Sequence, residues 1–245
     1  MATRQAANTP AQSAKQTPNQ RQMLLLIGGV VVVAVIGFVA AIAISGNANV
    51  QALDYSQMNP TRTADGAFII GNPDAPVTVI EFADFGCPAC MSYHGDVQRF
   101  ITEYVATGQA RFEFRIFPTA GGQTTVFAGQ VAECVDEAQP GAFWQMYDRY
   151  FELSRTGRYF TDDGIRSAVQ SVGLNYSEIL ACSRDATQVT TDINFGTANQ
   201  VSGTPAVMVR YNNGDAEWIA SGGTTFNRGA VPFSVLAAVV QEANS

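Results

Sequence analysis

Val77-Thr78-Val79-Ile80-Glu81-Phe82-Ala83-Asp84-Phe85-Gly86-Cys87-Pro88-Ala89-Cys90 is the stretch on which the fold turns. Its first six residues are β-branched and aromatic around one acid, and Pro73 and Pro76 precede them, which predicts a buried strand. Gly86 and Pro88 end the run. Ala89 to about Ala106 reads as helix, closed near Gly108. Two cysteines separated by two residues therefore sit where a strand gives way to a helix. The unpaired N–H groups and the dipole of a helix start favour negative charge there. They push a thiol at Cys87 toward thiolate, below the free value of about 8.5. Cys90, one turn in, is placed to resolve a mixed disulfide by ordinary exchange. Such a pair is also half of a zinc site. The remaining cysteines, Cys134 and Cys182, lie 48 positions apart and supply no second tight pair. An inert structural disulfide is the other alternative.

Downstream, Ala110 to Phe117 alternates, with Phe112, Phe114 and Ile116 against Arg111, Glu113 and Arg115, which predicts a half-exposed strand stopped by Pro118. A helical block follows. Phe127, Val131, Cys134, Val135 and Ala138 share one helix face, and Gln139-Pro140-Gly141 breaks it. Phe143, Trp144, Tyr147, Tyr150 and Phe151 mark a second helix, mostly core. Ile165, Ala168, Val169 and Val172 mark a third, capped by Thr161 or Asp162. Asn175 with Glu178 resembles a capping box for a short helix carrying Cys182. After Gly203-Thr204-Pro205 the strand period returns, Asn213-Gly214 signals a hairpin, and Pro232 opens a last helix.

Upstream lies a different kind of chain. Residues 1–22 are polar, with Arg4, Lys15 and Arg21 as their charges and no acid, and read as a disordered cytoplasmic tail. Residues 23–44 are entirely apolar or glycine, enough for a helix of about 30 Å to cross a bilayer. They read as an uncleaved anchor rather than a signal peptide, whose apolar core is about 7–15 residues. Positive charge only before the span puts the tail in the cytoplasm and the rest on the extracytoplasmic side of the cell membrane. Residues 45–65 read as a linker or a loosely packed arm, and residues 66–245 as the exported domain.

Composition narrows the function. The 245 residues are 47% hydrophobic with a formal charge of −7, and Lys15 is the only lysine. Without the tail, 11 basic face 21 acidic residues, so a nucleic-acid partner is excluded. A single histidine excludes sites that need several imidazoles.

The motifs together resemble the DsbA-like branch of the thioredoxin superfamily. They are Gly71-Asn72-Pro73-Asp74-Ala75-Pro76-Val77, Glu81 through Cys90, Ala132-Glu133-Cys134, Phe143-Trp144 and Gly203-Thr204-Pro205, in order from about Gly66 to the C-terminus. The resemblance implies an α/β thioredoxin fold with a helical insert at about 121–199, here preceded by one transmembrane helix. It implies Cys87 and Cys90 as the redox pair, and Pro205 as a cis-proline facing them. A proline lacks an N–H, which leaves the backbone beside Thr204 free to pair with an extended substrate. It implies Glu81 as a buried acid that handles protons; a strand-end carboxylate reaching solvent is the alternative. His94, four residues after Cys90, either modulates a thiolate or packs at the domain interface. Cys134 and Cys182 are expected to form a structural disulfide, as in some relatives, or else remain two free buried thiols.

The implied activity is thiol–disulfide exchange, forming disulfides in reduced exported proteins, with no metal or organic cofactor. The implied redox partner is a membrane protein of the DsbB or vitamin-K-epoxide-reductase (VKOR) type. Pro88-Ala89 differs from the Pro-His of the best-known oxidases, and Thr204 suits oxidase, reductase or isomerase. Two non-catalytic readings are a copper carrier using Cys87 and Cys90, and a protein-holding chaperone.

Overall fold

The computed structural model describes residues 53–245. The expected tail and membrane anchor lie outside them. Among the described residues no helix is long and apolar enough to cross a membrane.

A six-stranded sheet is formed by β1 (Thr61–Arg62), β2 (Phe68–Gly71), β3 (Val77–Ala83), β4 (Arg111–Ile116), β5 (Ala206–Tyr211) and β6 (Glu217–Trp218), in the order β1-β2-β4-β3-β5-β6. β3 and β4 run parallel, Val79 opposite Phe112, and the other neighbours are antiparallel. A parallel pair needs a crossover. It is supplied by α1 (Pro88–Phe100), continued by a π-turn at Ile101–Val105. α1 buries Cys90, Tyr93, His94, Val97 and Phe100, one face at helical spacing.

Between β4 and β5 the chain leaves the sheet for five helices: α2 (Gly122–Ala138), α3 (Phe143–Arg155), α4 (Asp162–Ser171), α5 (Tyr176–Cys182) and α6 (Gln188–Ala198). Thr161 caps α4 by accepting from the Gly164 N–H, and Asn175 caps α5 from Ser177. The last helix, α7 (Phe233–Ala243), packs its Leu236, Val239 and Val240 inward. All seven residues of β3 are buried, because odd positions face the large core shared with the helices and even positions face a smaller one. The aromatics of α3 are all in the large core. The chain is therefore a thioredoxin-like α/β fold carrying a helical insertion.

Two segments differ from their sequence reading. β4 is not half-exposed; Glu113 and Arg115 are as buried as its phenylalanines. Their face is covered by α6, whose Asp192 carboxylate lies 3.2 Å from Arg115 and accepts the Ile116 N–H at 2.9 Å. Glu113 pairs with Arg115 at 2.7 Å and with Arg210 at 2.6 Å, so the buried charges neutralise one another. Residues 53–65, expected as linker, pack on the domain instead. Tyr55 is buried against Trp144 and donates to Asp148 at 3.0 Å, and β1 extends the sheet. Their small polar composition hid two anchors, Tyr55 and Met58, both buried.

Candidate active site

Cys87 is the residue at which the chain leaves β-conformation and enters α1. Its backbone is extended (φ −83°, ψ 123°), it occupies the N-cap position, and Pro88 is the first helical residue. The loop before it is held from three directions. The Cys87 N–H donates to the Asp84 carbonyl at 3.0 Å. The Phe85 ring is buried among Tyr147, Tyr150, Phe151 and Tyr159 of the insert. The Phe85 carbonyl accepts from Ser154 Oγ at 2.6 Å.

Cys87 and Cys90 are both free thiols. The Cys87 sulfur faces the Thr204 carbonyl oxygen at 3.4 Å, and the Thr204–Pro205 peptide is cis. The two thiols are driven apart in acidity. At Cys87, burial opposes ionisation, but the Cys90 and Ala89 backbone N–H groups, the Thr204 side chain and the Cys90 thiol outweigh it, and the pKa falls below the ordinary value. At Cys90, burial and then the nearby Glu81 carboxylate raise it well above. Cys87, at the helix N-terminus, is thus the more acidic of the two thiols, and Cys90 behind it the less acidic.

Glu81 is almost fully buried on β3, and neither of its oxygens has a hydrogen-bond partner among the described residues. Burial pushes its carboxyl up to about 8. It opens on a narrow apolar pocket lined by Val79, Tyr93, Val97, Phe100, Phe112, Val207 and Leu236. A buried acid without a partner among the described residues is costly to the fold.

His94 is buried against the insert, with its ring 4.4 Å from Phe151 and 5.2 Å from Tyr147. Its nitrogens lie 3.1 Å from Arg155 and 3.4 Å from Asp148. Cys134 on α2 and Cys182 on α5 are joined as a disulfide that ties two insert helices together, at a distance in sequence from the thiol pair.

Sequence reading missed a polar brace. Asp84 is wholly buried and accepts from the N–H of Gly86 (2.8 Å), the N–H of Thr119 (2.6 Å), the N–H of Gly121 (2.7 Å) and the hydroxyls of Thr119 (3.1 Å) and Thr125. Thr119 Oγ in turn lies 2.6 Å from Thr204 Oγ. One carboxylate thus connects the loop before Cys87, the loop after β4 and the loop carrying Pro205. A Cβ at Gly121 would strike Asp84 and Thr125, so this approach requires glycine. The one available signal was a charged residue inside an apolar run, Phe82-Ala83-Asp84-Phe85.

Known proteins align with this arrangement. A thioredoxin family model matches residues 63–217. The probable disulfide bond formation protein D of Bacillus cereus is 30% identical over 151 residues, which are 58% of this chain and 69% of that protein. Na(+)/H(+) antiporter NhaA 3 of Salinispora tropica is 31% identical over 148 residues, 59% of this chain but only 22% of the antiporter. The crystal structure of oxidised BdbD from Bacillus subtilis matches with a TM-score of 0.57 at 19% identity, over 71% of this chain and 91% of that one, a likeness of fold. With a matching family model over more than half its length and a free thiol pair at the start of α1, the chain belongs to the thioredoxin family, as a DsbA-like thiol–disulfide oxidoreductase.

Proposed function

We propose that the protein forms disulfides in reduced exported proteins through Cys87 and Cys90. The observation that carries this reading is the split between the two thiols: Cys87 lowered at the N-cap of α1, Cys90 raised behind it. A stabilised Cys87 thiolate favours the reduced form of the pair and makes its disulfide the stronger oxidant.

The cycle starts from the Cys87–Cys90 disulfide. A substrate thiolate attacks Cys87 Sγ; a substrate–Cys87 bond forms, the Cys87–Cys90 bond breaks, and Cys90 leaves as thiolate. Its raised pKa demands a proton, and Glu81, up to about 8, is the nearby acid that supplies it. A second substrate thiolate then attacks the substrate sulfur, and Cys87 leaves as a stabilised thiolate. Two substrate thiolates have lost two electrons to become a disulfide, and the enzyme has gained them as a Cys87 thiolate and a Cys90 thiol, with Glu81 left ionised until solvent returns its proton. Thr204 and Pro205 position the substrate backbone beside Cys87. The Cys134–Cys182 disulfide is structural and takes no part, and His94 holds α1 to the insert.

The domain works on the extracytoplasmic side, the side the relatives' name fits, tethered by residues 23–44 to the membrane. Tethering raises the effective concentration of a membrane partner of the DsbB or VKOR type that returns the pair to the disulfide.

The reduction potential of the pair and a trapping variant test this together. Cys90→Ser accumulates mixed disulfides with exported proteins, and Cys87→Ser accumulates none. The wild-type potential falls well above that of thioredoxin, about −270 mV. A potential near thioredoxin's would make the protein a reductase, and trapping through Cys90 alone would overturn the assignment of roles.

A further inference from the structure

The brace at Asp84 has a feature that packing does not explain: its hydroxyl protons cannot satisfy every acceptor at once. Thr119 Oγ is 3.1 Å from Asp84 Oδ2 and 2.6 Å from Thr204 Oγ, and it has one proton to donate. Oδ2 already takes the N–H groups of Thr119 and Gly121 at 2.6 and 2.7 Å, one for each lone-pair direction. The hydroxyl at 3.1 Å is its weakest and most expendable bond. Thr204 also has one proton, and the residue borders Cys87, whose sulfur lies 3.4 Å from the Thr204 carbonyl oxygen. Meanwhile the Cys87 thiol donates to the Thr204 carbonyl.

Taking Cys87 as the exchanging thiol, we propose that Asp84 and Thr119 are positioning residues that set the direction of the Thr204 hydroxyl: toward Thr119 while Cys87 is a thiol, toward the sulfur once it is a thiolate. In the thiol state Thr204 donates to Thr119, and Thr119 donates to Asp84. When the sulfur loses its proton to solvent, the Thr204 hydroxyl turns to it and the Thr119 hydroxyl follows into Thr204. Asp84 keeps its other four donors. No proton travels along the chain; two hydroxyls rotate. Asp84 therefore competes with the thiolate for these protons and keeps Cys87 less acidic than the helix end alone would make it. The other titratable groups around the relay are Cys90, with Glu81 behind it, on the sulfur side, and Tyr159, which donates to Thr125 at 3.0 Å, on the Asp84 side.

The test is the pH dependence of Cys87 alkylation in the reduced protein, with the modified peptide identified by mass. Thr119 is exposed, so Thr119→Val keeps the fold while removing the alternative acceptor. Cys87 is expected to titrate about 0.5 pH lower in Thr119→Val, the effect of roughly one neutral hydrogen bond. Thr119→Ser restores the hydroxyl and titrates like wild type. No shift or an upward shift in Thr119→Val overturns the proposal, and so does Thr119→Ser following Thr119→Val. Cys87→Ser separates the two readings. If exchange activity survives that substitution, the assignment of Cys87 fails, whatever Thr119→Val does.

Discussion

Ser154, on helix α3 of the insert, donates its hydroxyl at 2.6 Å to the backbone carbonyl of Phe85, two residues before Cys87. The helical insert thus holds the loop that aims the nucleophile as well as covering the sheet. Ser154→Ala leaves a buried carbonyl without its donor, at a cost of about 1–3 kcal/mol. The midpoint of denaturant unfolding is expected to fall accordingly, and Cys87 alkylation is expected to lose some of its pH dependence as the loop loosens.

Glu81 gives stability a pH dependence of definite sign. Its folded pKa, about 8, lies above the unfolded value of about 4.3. Its contribution to stability is therefore fully present below pH ~4.3 and is lost as pH rises through about 8. Glu81→Gln removes that loss. The variant is expected to match wild type near pH 4 and to exceed it by roughly 3–5 kcal/mol above pH 8, measured by chemical unfolding across pH. The same variant is expected to turn over on the order of 100-fold more slowly if Glu81 supplies the proton to Cys90.

Arg115 holds two buried carboxylates, Glu113 at 2.7 Å and Asp192 at 3.2 Å, on the sheet face away from Glu81. Removing one partner of a buried ion network leaves charge uncompensated. Arg115→Met is expected to lose roughly 3–5 kcal/mol in unfolding experiments. Cys87 reactivity should be unchanged in the molecules that stay folded, because the two faces of the sheet have separate cores.

The Cys134–Cys182 disulfide closes a loop of 48 positions. By the loop-closure argument, Cys134→Ser with Cys182→Ser costs roughly 3–4 kcal/mol. Thermal unfolding is expected at lower temperature, with exchange through Cys87 and Cys90 retained at temperatures where the variant is folded.

Local pattern carried much of this reading. The buried run Val77–Phe82, the cysteine pair at a helix start and the helical block between β4 and β5 are all visible as periodicity and punctuation. What escaped depends on partners distant in the chain. The alternation of β4 says that Glu113 and Arg115 point away from the phenylalanines. It does not say that Asp192, 77 residues onward, covers them. Asp84 sits in a loop by its local sequence because its distant donors, Thr119 and Thr125, lie 35 and 41 positions away. Tyr55 in residues 53–65 finds its partner Asp148 across 93 positions. Long-range polar pairing leaves no period in a sequence.

The central claim is that the N-terminus of α1 and the Thr204 side chain make Cys87 the acidic, exchanging thiol while Cys90 stays protonated. The most direct measurement is the pH dependence of alkylation at each thiol of the reduced protein. The account predicts that Cys87 titrates below the free-thiol value of about 8.5 and that Cys90 reacts only far above it. Cys87 titrating at or above that value, or Cys90 reacting first, would contradict it.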